Sequence, residues 1–299
     1  MTKHRMAALA LILAGVSVAA PAIVIRADVP DARYRELGAK FKDTVVTFPW
    51  VRETGEVWPA SGTGTLVAPQ WVLTAGHVGV RFKAGHPENP DRSPDYATIA
   101  GRNYEIEQVF LHPDSEKGIT RPGADVALIK LAAPVKEGKP ACLYGARNEA
   151  GQLATIAGFG MTGTHLTGAT ARDFTLRAAT TRLAERQVPS WAIYDRVGET
   201  LATTFRLPSD PDVTPLEGTI GGGDSGGPAF LMHEGKLCVA GVATIGGTPS
   251  SQPKGRAAAP TPGLVSTPVA GSQRMSGGYV RVSAIRAWAM DVMNGKVAP

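Results

Sequence analysis

The apolar residues of this chain come in short runs separated by turn formers, and this spacing constrains the fold more than any other feature. Residues 44–48, 64–67, 71–74, 105–111, 126–131, 153–157, 174–180, 238–245 and 279–282 form runs of four to eight residues, rich in Val, Ile, Leu, Thr and Ala. Runs of that length are too short for helices and suit buried strands. The 35 Gly and 23 Pro of the 299 residues supply the punctuation. The expectation is an all-β fold. One helix is expected near the end, over about 283–294, where Ile285, Trp288, Ala289 and Val292 keep a 3.6-residue period and Ser283 stands ready to cap.

Composition narrows the functional classes. The formal charge of +5 is small, and the 31 basic residues are scattered without a run of four. A nucleic-acid-binding face clusters its Lys and Arg, so no nucleic-acid partner is expected. The two cysteines, Cys142 and Cys238, are too few for a Cys-rich zinc module or a multi-disulfide scaffold. The N-terminus begins with Lys3, His4 and Arg5, runs uncharged from Met6 to Ile25, and carries Ala20-Pro21-Ala22. A basic start, an apolar stretch and an A-x-A site describe a secretory signal, 1–22. Twenty apolar residues could also serve as a retained anchor. Export leads to a periplasmic or extracellular setting where a disulfide persists. Cys142 and Cys238 are then either bridged or two buried thiols.

Two stretches do not read as packed strands. Residues 188–217 hold a short helical pattern near 191–200 and then a polar, Pro-bearing segment. Residues 248–276 are rich in Ser, Pro, Ala and Gly. A segment that long is a surface insertion, either disordered or lid-like.

Three motifs carry chemistry. Trp71-Val72-Leu73-Thr74-Ala75-Gly76-His77-Val78 delivers a histidine at a strand end. Ala124-Asp125-Val126-Ala127-Leu128-Ile129-Lys130-Leu131 sets an aspartate ahead of a strand. Gly221-Gly222-Gly223-Asp224-Ser225-Gly226-Gly227-Pro228 sets a serine in a glycine-dense turn. Singly, each reads as a structural histidine, a turn former and a turn. Together they supply a base, its orienter and a nucleophile in the chain order His, Asp, Ser, the order found on chymotrypsin β-barrels.

On these motifs the sequence resembles the trypsin/chymotrypsin family of serine endopeptidases, as a secreted, bacterial-type member. T-A-G-H-V resembles the family's T-A-A-H-C, A-D-V-A-L-I-K-L resembles D-I-A-L-I-K-L, and G-D-S-G-G-P is identical to the nucleophile motif. The likeness runs from about residue 44 to 295. It implies two packed six-stranded Greek-key β-barrels, the first in 23–137 and the second in 138–299 with the terminal helix. It also implies that His77, Asp125 and Ser225 hydrolyse peptide bonds through an acyl-enzyme. His77 takes the Ser225 proton and Asp125 fixes the imidazole. The N–H groups of Gly223 and Ser225 would form the oxyanion hole. No cofactor or metal is implied, the partners are polypeptides, and no stable membrane association is expected once the signal is removed. A silent binding module on the same fold, or an acyl hydrolase acting on esters, stays open.

The sequence departs from the family in ways that carry expectations. Val78 and Gly62 stand where a disulfide usually braces the histidine, leaving packing alone to hold 71–78. Gly221 replaces a cysteine beside the specificity pocket. Thr219 aligns with the pocket base, with Gly246 and Gly277 as open walls and Thr244, Ile245 and Gly246 pairing with substrate. A neutral base favours an apolar or aromatic residue before the scissile bond. Family members insert a new Ile-Val N-terminus beside the residue corresponding to Asp224. Cleavage after Ala22 would expose Ile23-Val24 here, and otherwise Asp224 must find a local partner. His86, His112, His165 and His233 are expected outside the chemistry, as are the surface carboxylates Asp95 and Asp114. Glu88, Asp91 and Asp95 leave a calcium site open.

Overall fold

The computed structural model describes residues 23–51, 54–83, 95–115, 124–185, 199–247 and 275–298. The expected leader at 1–22, residues 188–198 and 248–274 of the two insertions, His86, and the calcium candidates Glu88 and Asp91 lie outside the described residues.

Strands Val45–Val51, Val57–Ala68, Trp71–Thr74, Ala127–Leu131, Arg102–Leu111 and Tyr96–Ile99 follow one another around a closed barrel, and the last pairs back onto the first. The alternating side chains of these strands explain the closure. Val46, Phe48, Leu66, Val72, Leu73, Ile99, Leu128 and Ile129 are all buried in one core cluster, and since neighbours such as Val72 and Leu73 or Leu128 and Ile129 face opposite sides of their strand, those strands are covered on both faces. The second half is an eight-stranded sheet. Its order runs Arg177–Arg182, Leu153–Gly158, Pro228–His233, Lys236–Gly247, Ser276–Arg281, Thr200–Thr204 and Ala184–Glu185, with Cys142–Leu143 alongside Lys236–Gly247. The all-β architecture with a terminal helix is the chymotrypsin-like one expected.

That helix spans Val282–Met293 and packs Ile285, Ala289 and Val292 into the core. Ser283 does not cap it. The N-cap position is Arg281, without a side-chain cap, and the Ser283 hydroxyl donates to Glu149 Oε1 at 2.6 Å. The fully buried Glu149 carboxylate, paired with Arg281, draws the hydroxyl inward.

The N-terminal segment belongs in space to the second half. Strand Ile23–Ile25 runs parallel to Thr162–Thr164 and antiparallel to Gly218–Thr219. Helix Asp31–Ala39 follows and lies against Arg177–Arg182. Its Gly38 is a matter of clearance, since a Cβ there would stand 2.7 Å from the Leu176 carbonyl oxygen. Arg177, almost fully buried, donates to Asp31 at 2.7 and 3.1 Å and to Asp173 at 3.0 and 2.9 Å. Removing one partner of such a buried set costs about 3–5 kcal/mol. Arg177→Met should lower stability by about 3 kcal/mol in urea unfolding, because Asp31 and Asp173 are partly solvated.

Cys142 and Cys238 form a disulfide between neighbouring parallel strands, at a sequence separation of 96. A loop of that length is worth about 4–5 kcal/mol in the chain-entropy account. The Cys142→Ser, Cys238→Ser double variant should lose about 2–5 kcal/mol in the same measurement.

Candidate active site

Register brings the histidine and the aspartate together. Thr74 lies opposite Ala127 across the antiparallel pair Trp71–Thr74 and Ala127–Leu131. The residues just after Thr74 and just before Ala127 therefore emerge at the same end. His77 and Asp125 meet there twice. The His77 backbone N–H donates to Asp125 Oδ1 at 2.8 Å, and Asp125 Oδ2 lies 2.7 Å from His77 Nδ1. Asp125 is buried and His77 half-buried, which leaves the far ring nitrogen for chemistry. Gly76 makes the approach feasible. A Cβ there would stand 2.4 Å from Ser115 Oγ and 2.9 Å from Asp125 Oδ1, so glycine replaces the family's alanine for lack of space.

The serine arrives from the other half. The Thr63 N–H donates to the Ser225 carbonyl at 2.8 Å, and the Thr63 hydroxyl to the Gly223 carbonyl at 3.2 Å. Gly226, at φ +84°, leaves no room for a Cβ, which would fall 2.1 Å from Thr74 Oγ1 and 2.9 Å from the Ala75 nitrogen. The turn that carries Ser225 is thus pressed against the strand end that delivers His77. The Ser225 hydroxyl makes no hydrogen bond to His77 here. Such bonds are often long in a free site and tighten around substrate. The backbone N–H groups of Gly223 and Ser225 donate to no acceptor among the described residues, as donors reserved for a ligand oxygen would.

A family comparison decides the assignment. The Trypsin family model matches residues 52–266, a span that contains all three motifs. The chain belongs to the trypsin family. Among trypsin-family relatives it is 30% identical to Serine protease SSP1 of Scolopendra subspinipes over 207 residues, 66% of this chain and 67% of that one. It is 34% identical to a Tryptase of Mus musculus over 29% of this chain and 33% of that one. It is 32% identical to Complement C1s subcomponent of Sus scrofa over 40% of this chain and 19% of that one. These are animal proteins and lend no support to a bacterial-type subdivision. The chain spans a third or less of the length of the last two.

The departures from the trypsin-family pattern have visible compensations. Gly62 and Val78 are neighbours, since a Cβ on Gly62 would lie 2.7 Å from Val78 Cγ1. The segment is not held by packing alone. Buried Arg81 donates to the Val78 carbonyl, the Ser61 hydroxyl and the Ser61 carbonyl at 3.3, 3.3 and 3.4 Å and lies over the Trp50 ring at 4.8 Å. Burial pushes its pKa down to about 10. Gly221 has no space for the family's cysteine, because a Cβ would fall 2.0 Å from the Met161 carbonyl oxygen.

At the expected pocket, Thr219 is fully buried and its hydroxyl has no hydrogen-bond partner among the described residues. A Cβ on Gly277 would lie 2.8 Å from Thr203 Oγ1 and 3.0 Å from Ile220 Cγ1. Ile245 and Gly246 pair with Gly278 and Gly277, and the Thr244 hydroxyl donates to the Gly278 carbonyl at 3.5 Å. The Ile245 side chain lies outside the described residues. His112 and His233 stand edge-on to Trp288 and Tyr144, and His165 stacks on Phe205. These three are packing histidines, remote in role from the pair at His77.

Asp224 is fully buried. It accepts the Gly160 N–H on Oδ1 and the Gly221 N–H on Oδ2, both at 2.8 Å. Burial raises its pKa from 3.8 to about 7, against the lowering effect of those two bonds and of Arg172 and Arg177.

Proposed function

We propose that the protein is an exported serine endopeptidase that cleaves polypeptides with His77, Asp125 and Ser225. The observation that carries the reading is the doubly bonded His77–Asp125 pair at the strand end against which the Ser225 turn is packed. Asp125 holds Nδ1 protonated, so Nε2 takes the Ser225 proton as the hydroxyl attacks the peptide carbonyl. The oxyanion is received by the unpaired N–H groups of Gly223 and Ser225. His77 returns the proton to the leaving amine, and water hydrolyses the acyl-enzyme by the same route. Substrate adds as a strand along Thr244–Gly246. One edge of that segment is paired with Gly277–Gly278, and the other carries no strand among the described residues. The neutral Thr219 base suits an apolar or aromatic residue before the scissile bond.

Maturation belongs to the same reading. Cleavage after Ala22 removes 1–22 and makes Ile23 the first residue, with Asp224 as the partner of its ammonium. The donors that hold Asp224 come from Gly160 and Gly221. These lie two residues from Thr162 and Thr219, the partners of Ile23 and Val24. Ile23 also has φ +61°, unfavourable for a β-branched residue. That torsion exists only while the bond to Ala22 does.

Fluorophosphonate labelling tests the proposal. The reagent should modify Ser225 in the mature protein and fail with His77→Ala. An unlabelled, folded mature chain would favour a silent binding module instead.

A further inference from the structure

The oxyanion-hole peptide has little intrinsic reason to face the substrate. It joins Gly222 to Gly223 and follows Gly221, so no side chain restricts its rotation, and Gly223 sits at φ +97°. Two donors hold its carbonyl. The Met161 N–H reaches the Gly222 oxygen at 2.5 Å, and Arg172 Nη2 at 3.3 Å. A trans peptide points its C=O and N–H in opposite directions. Anchoring the Gly222 oxygen on Met161 and Arg172 therefore turns the Gly223 N–H away from them.

Arg172 is itself tied down on the opposite half of the molecule. Its Nη1 donates to the Ala60 carbonyl at 3.0 Å, and its guanidinium lies 4.8 Å from the Trp58 ring centre and 6.0 Å from that of Phe174. A Cβ on Gly223 would come 2.9 Å from Nη1, so the guanidinium lies directly against the hole-forming residue. It is half-buried and forms no salt bridge to a carboxylate among the described residues. Its two bonded acceptors are backbone carbonyls, one from each half of the fold.

We propose that Arg172 is a positioning residue for catalysis: it bridges the two halves and holds the Gly222–Gly223 peptide with its N–H presented to the oxyanion. A cation donating to the carbonyl of a peptide also polarises that peptide and strengthens its N–H as a donor. The effect concerns the tetrahedral state, where the oxygen carries charge, and not the bound substrate. The inference rests on the serine-hydrolase reading above.

The test compares wild type with Arg172→Met, which keeps length and stacking but loses the donors, and Arg172→Lys, which keeps the charge and a donor. Losing a hole donor outright costs about 100- to 1000-fold in kcat. Losing only its support should lower kcat by about 10- to 50-fold in Arg172→Met, with KM within about threefold. A peptide boronic acid reads the tetrahedral state directly. The Ser225 oxygen bonds to boron, its proton passes to His77, and a tetrahedral boronate anion results. Its affinity should fall by the same factor as kcat, while the Ki of the matching peptide carboxamide stays within about threefold. Arg172→Lys should recover most of both losses. Unchanged kcat and boronate affinity in Arg172→Met would overturn the inference, as would equal losses for boronate and carboxamide, which mark a merely structural role. A wild type that neither binds boronate nor labels at Ser225 would instead overturn the hydrolase reading, and this inference with it.

Discussion

Ser225→Ala should cut peptide hydrolysis by about a million-fold while leaving the fold intact. The hydroxyl is the only group the mechanism offers as nucleophile, and alanine keeps everything else. The bonds that set the turn use backbone atoms: Thr63 N–H to the Ser225 carbonyl, and Gly226 N–H to the Ala243 carbonyl at 2.6 Å. Neither depends on the side chain. Unfolding free energy should therefore stay within about 0.5 kcal/mol of wild type, as for other substitutions that touch no packed or bonded group. Urea unfolding beside a peptidase assay checks both halves of this expectation. A variant that loses activity and stability together would place Ser225 in the scaffold.

The second large effect concerns the first residue of the mature chain. A protein carrying even one residue ahead of Ile23 should be markedly less active, by about tenfold or more, than one beginning at Ile23. The argument starts from Asp224. Its pKa near 7 in the unprocessed chain against an ordinary 3.8 means that burial disfavours the ionised carboxylate by roughly 4 kcal/mol relative to a free one. An ammonium at Ile23 offsets that cost by pairing with the carboxylate. Without it, the turn that carries Gly223 and Ser225 must keep a neutral Asp224 or rearrange.

The same linkage fixes a pH dependence. In the unprocessed chain the folded form holds the Asp224 proton more tightly than the unfolded form. Its contribution to stability is therefore complete below about pH 4 and is lost as pH rises toward 7. The chain beginning at Ile23 should escape most of that loss. Melting temperatures of the two forms should thus draw apart between pH 4 and 7, with the unprocessed form falling. Parallel curves would remove the Ile23–Asp224 pair.

The most legible parts of the site were those set by local sequence. His77 and Asp125 each adjoin a short apolar run, and antiparallel pairing of those runs suffices to bring the two together. The glycines of the nucleophile turn advertise a tight approach, and Gly226 at φ +84° against Thr74 shows why. Less legible were features that exist only through distant partners. Arg81 and Arg172 look like ordinary surface charges in sequence. Arg81 is drawn in by Trp50, Ser61 and the Val78 carbonyl, and Arg172 by Trp58 and the carbonyls of Ala60 and Gly222. Ile23–Ile25 reads as the end of an apolar leader, and its role as a strand appears only when 162–164 and 218–219 flank it. Pro228–His233 is hidden behind the glycine run that precedes it, although Phe230 and Leu231 are core residues. Ser283 has the chemistry of a cap, but buried Glu149 competes for its hydroxyl and wins.

The central claim is serine-dependent peptide cleavage, and the most direct test is a map of new chain ends. The purified chain beginning at Ile23 and its Ser225→Ala variant would each be incubated with a denatured protein mixture, and new termini identified by mass spectrometry. Cuts made only by the wild type, following apolar or aromatic residues, are the predicted result. Equal patterns from both proteins, or no cuts from a chain that begins at Ile23, would contradict the account.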